Sequence, residues 1–247
     1  MKTIGLLGGM SWESTLTYYT WINTGIRDAL GGLHSAEIIL YSVEFAAIER
    51  LQNLGQWDKA GERLADAAKK IESAGADCLL ICTNTMHKVA QEVEAAISIP
   101  LLHIADATAL AVKNRQMTGV GLLGTRFTME DDFYRGRLEE KFGINVYIPE
   151  DEERAMVHRV IYDELCCGTI SGDSRKAFTH VIKSLADKGA QAVILGCTEI
   201  SLLVQQQDTS IPLFDTTAIH ADAAVQFALS SSGQRGSIVD GVRRRAI

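Results

Sequence analysis

The sequence predicts an α/β protein of two pseudo-symmetric lobes, each a mostly parallel sheet of about four strands flanked by helices, with an active site in the cleft between them. Three observations predict it. Short apolar runs rich in β-formers alternate with segments of helical period, the pattern of parallel strands joined by crossover helices. "IGLL" at 4–7 returns as "VGLL" at 120–123, an offset of 116. Gly75-Ala76 and Gly189-Ala190 each precede an apolar run, at an offset of 114. Two near-equal halves built by internal repetition imply a pseudo-twofold relation, and such folds bind ligands beyond the carboxyl ends of parallel strands.

The elements follow in order. "TIGLL" (3–7) reads as a buried strand, and "SWESTLTYYTWINTGIRDAL" (11–30) as a helix whose apolar Leu16, Tyr19, Ile22 and Ile26 recur at near-helical spacing. "EIILY" (37–41) is a second strand. Residues 57–74 form a helix with Leu64, Ala68 and Ile71 on one face. "CLLIC" (78–82) lacks alternation, as suits a parallel strand covered on both sides. The second half repeats this with strands at 120–123, 145–148 and 192–197, and a helix over 173–188 whose Phe178, Val181, Ile182 and Leu185 face inward. A Pro-led segment trails each final strand, "IPLLHIADATALAV" from Ile99 and "IPLFDTTAIHADAAV" from Ile211. The expected division is 1–99 plus 213–229 for the first lobe, 100–212 for the second, and 230–247 as a disordered tail.

Composition excludes several functions. No apolar run approaches the roughly 20 residues of a membrane span, and the opening residues are too short for a signal-peptide core. Five cysteines, odd in number and mostly in apolar context, argue against a disulfide framework and for a reducing cytoplasm. No spacing suggests a metal site. The net charge is −7; residues 230–247 carry four Arg and one Asp, so the body is more acidic still, which disfavours nucleic acid as a partner. The clusters "EDEER" (150–154) and "RLEEK" (137–141) read as solvated faces. "GLLGGMSWES" (5–14) has neither the dinucleotide glycine spacing nor a P-loop Lys, so no nucleotide cofactor is expected.

Aligning the halves on the two glycines pairs Thr83 with Cys197 and Cys82 with Gly196. Side chains alternate along a strand, so Cys82 faces away from the side Thr83 occupies. A thiol and a hydroxyl on opposite walls of a cleft suit proton transfer to and from the two faces of one carbon. A helix start after Cys197 is expected to lower the thiol's pKa. Asn84 and Thr198 follow the pair, where their amides and side chains suit a substrate carboxylate. His87 and His220 read as packing or orienting groups, and no hydrolase triad is readable from spacing.

The motifs "IGLLGGMSWESTLTYY", "HSAEIILYSVEF", "NTMH", "LLGTRFTM", "IYDEL", "GCTEI" and "PLFDTTAIHADAAV", in this order over about residues 1–229, resemble the aspartate/glutamate racemase family and are most similar to its broad-specificity amino-acid racemase branch. The resemblance implies two pseudo-symmetric α/β lobes and an isomerase that uses two Cys as acid and base without pyridoxal phosphate, metal or other cofactor. The family's second catalytic Cys falls on Cys197, the base toward the L-substrate; its first falls on Thr83. A hydroxyl donates a proton but is a poor base, so an apparent preference for L-substrates is expected. To Asn84 and Thr198 the resemblance adds substrate contacts at Met10, Gln52, Thr85, Thr125 and Glu199. The Lys that grips the distal carboxylate in aspartate-specific relatives is Cys166 here. The expected partners are a small amino-acid substrate and a second copy in a homodimer. Two rivals stand beside this reading: a decarboxylase or isomerase of the same superfamily working with one Cys, and a non-catalytic amino-acid-binding protein.

Overall fold

A computed structural model describes residues 1–230. The order is β1 (Ile4–Gly8), α1 (Trp12–Leu30), β2 (Ile38–Ser42), α2 (Phe45–Asn53), α3 (Trp57–Ser73), β3 (Cys78–Ile81), α4 (Ala90–Ala95), α5 (Ile104–Asn114), β4 (Gly119–Gly124), α6 (Arg126–Glu130), β5 (Asn145–Tyr147), α7 (Asp151–Asp163), α8 (Gly172–Asp187), β6 (Val193–Gly196), α9 (Ile200–Leu203), β7 (Leu213–Asp215) and α10 (Thr216–Leu229). The expected tail lies, from residue 231 on, outside the described residues. Among the described residues, no helix is long and apolar enough to cross a membrane.

The strands form two sheets, both parallel, in the orders β2-β1-β3 and β5-β4-β6-β7. The first sheet therefore has three strands rather than four; a single parallel bridge, Leu79 to Leu101, stands where the second sheet has β7. The described chain divides into one compact unit of residues 1–104 and 217–230 and another of 105–216. The expected crossings after 99 and 212 thus move by a few residues each. Leu102 N–H donates to Leu79 O and keeps 100–104 with the first sheet, while β7 pairs with β6 and keeps 213–215 with the second.

The two units share the turns that lead into β3 and β6. Gly75 and Gly189 end α3 and α8 with φ of +102° and +111°, a region open to glycine at little cost. Gly75 N–H donates to Glu72 O and Ala76 N–H to Ile71 O; Gly189 N–H donates to Ala186 O and Ala190 N–H to Leu185 O. Leu79 N–H then reaches Pro100 O as Val193 N–H reaches Pro212 O. The glycines of the "IGLL" and "VGLL" runs have matching duties. A Cβ on Gly5 would stand 2.5 Å from Ile71 Cγ2, and one on Gly121 2.9 Å from Leu185 Cδ1. Each glycine lets the preceding-strand helix lie directly on its sheet.

Core packing explains the elements and corrects one of them. In the first unit Ile4, Leu6, Cys78, Leu80 and Cys82 pack against Tyr18, Ile22 and Ile26 of α1 and Ala221, Ala224 and Val225 of α10. Leu7, Leu79 and Ile81 pack on the other side against Leu64, Ala68 and Ile71 of α3. Leu16 and Tyr19 are exposed, 56% and 50%, despite their apolar spacing. The inward face of α1 is instead Ser14, Thr15, Tyr18, Ile22 and Ile26. Thr15 tolerates burial because its Oγ1 accepts from Gly9 N–H at 2.8 Å and donates to Ser11 O at 2.9 Å. In the second unit Phe178, Val181, Ile182 and Leu185 of α8 are buried against Leu123, Val193 and Leu195. The charged runs are not merely solvated. Arg137 and Lys141 both grip Asp106, and Arg154 bridges Glu130, Asp151 and Pro149 O. Burial pulls the Asp106 carboxyl upward, but its two cations outweigh that and hold it below its ordinary pKa.

Candidate active site

Thr83 lies in the bend that leaves β3, half-buried, with its N–H donating back to Ile81 O at 2.8 Å. Cys82 is fully buried in the apolar group beneath α1 and α10, its Sγ 4.0 Å from Leu80 O, and burial pushes its thiol far up. Cys78 shares that group, and burial raises its pKa to about 12. Neither buried thiol is fit to ionise near neutrality.

Cys197 follows β6 in the matching bend and is half-buried, as are Thr198 and Glu199. Its Sγ donates to Glu199 Oε2 at 3.0 Å. Burial first, then the charge of Glu199 and this hydrogen bond, hold the thiol well above its ordinary pKa, with Cys166 adding a smaller upward push. That reverses the expectation of a thiol lowered by a helix start. The reason is geometric: α9 spans only four residues, and the adjacent carboxylate outweighs whatever its amides provide. A thiol so held rests protonated, hydrogen-bonded to a group able to receive its proton.

The remaining expected residues sort by unit. Met10 is buried in the apolar group around α3 and Met86. Gln52, on α2 and also buried, donates from Nε2 to Met86 Sδ at 2.8 Å, one residue from Thr85. Asn84 and Thr85 are buried at the start of a 3₁₀ turn over Thr85–Val89. In the second unit Gly124 is in register with Gly196, so Thr125 and Cys197 each stand one residue past paired strand ends. Thr125 caps α6, its side chain accepting from Thr128 N–H. Thr198 O accepts from Ser201 Oγ. The first unit thus gathers Gln52 and Thr83–Thr85 at its strand ends, and the second gathers Thr125 and Cys197–Glu199 at its own.

Residues 7–224 match the family model described as Asp/Glu/Hydantoin racemase. The chain belongs to that family. It is an enzyme of the isomerase class, a racemase. It is 24% identical over 236 residues to the broad-specificity amino-acid racemase RacX of Bacillus subtilis, covering 92% of this chain and 98% of that one. Among solved structures, it is similar to one from Yersinia pestis assigned to the Asp/Glu racemases, at 58% identity and a TM-score of 0.89, covering 93% of this chain and all of the other. It is also similar to an aspartate racemase homologue from Pyrococcus horikoshii, at 36% identity and a TM-score of 0.81, covering 92% and 99%.

Sequence reasoning on the racemase left one feature unassembled. His87, His103 and His220 are all buried and form a cluster, with ring centroids 4.5 Å apart for His87–His103 and 5.8 Å for His87–His220. His220 Nε2–H donates to Leu102 O at 2.6 Å, so its Nδ1 accepts from Tyr18 Oη–H at 2.8 Å. Burial pushes the His220 pKa down to about 4. The only signal in the sequence was the recurrence of a His in each Pro-led segment, and it carried no contact information.

Proposed function

We propose that the chain is a cofactor-independent amino-acid racemase, acting on aspartate, glutamate or a broader set, in which Cys197 takes the Cα proton of the L-substrate and Thr83 serves the opposite face. One observation carries this reading: the thiol of Cys197 is hydrogen-bonded to a carboxylate at a half-open strand end. Family membership and the 114-residue repeat, which gives Thr83 the matching place, support it.

The chemistry follows from the resting protonation. The thiol first yields its proton to Glu199, leaving a thiolate beside a carboxylic acid. Thiolate then accepts the Cα proton, and the electron pair of the C–H bond passes into the substrate carboxylate as a planar enediolate. The Thr83 hydroxyl, directly or through one water, delivers a proton to the other face; solvent then returns a proton to Thr83 and takes up the one held by Glu199, which resets the site. Cα is inverted with no change in oxidation state. In reverse Thr83 must act as a base, for which a hydroxyl is poorly suited near pH 7. Enantiomers have equal free energy in water, so kcat/KM is equal in the two directions. The apparent preference for L therefore belongs to saturating conditions, where the slow step from D limits turnover.

Chiral chromatography of both reactions tests the assignment. Cys197→Ser is expected to abolish turnover of L-substrates, and Thr83→Cys to raise turnover from D by roughly 10²-fold, within the range a good general base supplies. An active Cys197→Ser enzyme would overturn the reading.

A further inference from the structure

We infer that His87 is a positioning residue for Thr83: its neutral imidazole fixes the peptide that follows Thr83 by joining it to the Ile104 amide. This rests on the role proposed for Thr83. Ile104 N–H donates to His87 Nε2 at 3.2 Å, so that nitrogen carries no proton. The other nitrogen, Nδ1, stands 2.8 Å from Thr83 O, a group that only accepts, so Nδ1 carries the proton and donates it. One tautomer satisfies both bonds. An imidazolium would lose the Ile104 bond, and the reverse tautomer would break both.

The placement gives the bridge its purpose. Thr83 leaves β3 in a tight turn closed by its own N–H on Ile81 O, and His87 N–H closes the next turn on Asn84 O. Without the imidazole, the carbonyl of Thr83 lacks this donor, and the peptide plane loses the bond that fixes it. That plane joins Thr83 to the turn that follows, so loosening it lets the bend carrying the hydroxyl shift, and small misplacements of a reacting group cost up to about 10²-fold in rate. His103 and His220 pack around the ring and hold its orientation. The bend at Cys197 is built differently. Four residues on from Cys197 comes Ser201, whose hydroxyl turns to Thr198 O, while Ile200 N–H supplies the Cys197 carbonyl. An imidazole lock is therefore specific to the hydroxyl-bearing side.

Two variants of like polarity separate the two ends of the bridge. Asn at 87 offers an amide N–H near the position of Nδ1, keeping the donor to Thr83 O. Gln extends to the position of Nε2, keeping the Ile104 side and losing the donor. Racemisation rates are expected to stay within about threefold of the parent for His87→Asn, and to fall about 10- to 100-fold for His87→Gln with KM little changed. In a Thr83→Ala background the Asn and Gln enzymes should be equal, because the residue they position is gone. Equal losses in the parent background, or a Gln-specific loss that persists with Thr83→Ala, would overturn the inference. If Thr83→Ala alone leaves racemisation unchanged, the role of Thr83 falls, and the inference with it.

Discussion

At the scale of single residues, the proposed start of the chemistry rests on the Cys197–Glu199 contact. A thiol raised by burial and by a neighbouring carboxylate has to discharge its proton locally, and Glu199 is in hydrogen-bonding contact to receive it. Replacing Glu199 by Gln removes the negative charge and the group able to take up the proton, while an amide oxygen remains to accept a hydrogen bond. Two opposite effects are expected. The thiol pKa falls, because the neighbouring negative charge that raises it is gone, so alkylation of Cys197 by iodoacetamide, followed by peptide mass spectrometry, should set in at lower pH. Racemisation should slow by about 10²-fold or more, because a proton acceptor is lost. Slower alkylation in the variant would contradict this account. That Cys82 points into the core was legible in the sequence, because the strand period fixes which of two adjacent side chains faces which way. The pKa of the Cys197 thiol was not. It depends on a carboxylate two residues away folding back onto sulfur, and spacing alone does not specify that.

At the scale of elements, the duplicated turns were the most readable feature. Gly75 and Gly189 adopt the left-handed conformation that ends α3 and α8, and the strands that follow place Thr83 and Cys197. A Cβ at Gly75 would meet nothing within 4 Å, so Gly75→Ala isolates backbone strain from packing. Denaturant unfolding should register a loss of about 1–2 kcal/mol for it. An unchanged midpoint would mean that the turn relaxes freely. The helix face of α1 was misread for a complementary reason. Apolar periodicity selected Leu16 and Tyr19, whereas the buried side includes Ser14 and Thr15, whose hydroxyls find partners in the turn before the helix. A pattern built on hydrophobicity alone passes over buried hydroxyls that are locally satisfied. The same limit applies to the run 137–141, where Arg137 and Lys141 were assigned to solvent and in fact clasp Asp106, which lies in a helix 31 residues away for Arg137.

For the molecule as a whole, stability should follow the buried histidine. His220 is fully buried and neutral, with a pKa pushed down by burial to about 4 from its ordinary 6.5, so the unfolded chain binds its proton first as pH falls. Its contribution is complete above about pH 6.5, shrinks as acid is added, and is exhausted once pH falls through about 4; the span is about 3 kcal/mol. Asp106, held below its ordinary pKa of 3.8, adds a further loss only as pH falls below that value. Unfolding curves between pH 7 and 4 should steepen their decline below 6.5, and His220→Gln should flatten that decline; an identical pH dependence in the variant would exclude His220 as its source. The two-sheet architecture, the family and the repeat were all legible in the chain, since each rests on local periods and recurring turns. The three-stranded first sheet and the histidine cluster were not, since both depend on segments that meet only after folding. The central claim is that a sulfur and a hydroxyl oxygen serve the two faces of one carbon. It is tested most directly by proton NMR in D₂O with L-aspartate, L-glutamate and a panel of other L-amino acids, combined with chiral separation of the products. The account predicts D-product carrying one deuterium at Cα, formed by the parent enzyme and slowed at least tenfold in Thr83→Ala. Inversion at the parent rate in Thr83→Ala would contradict it.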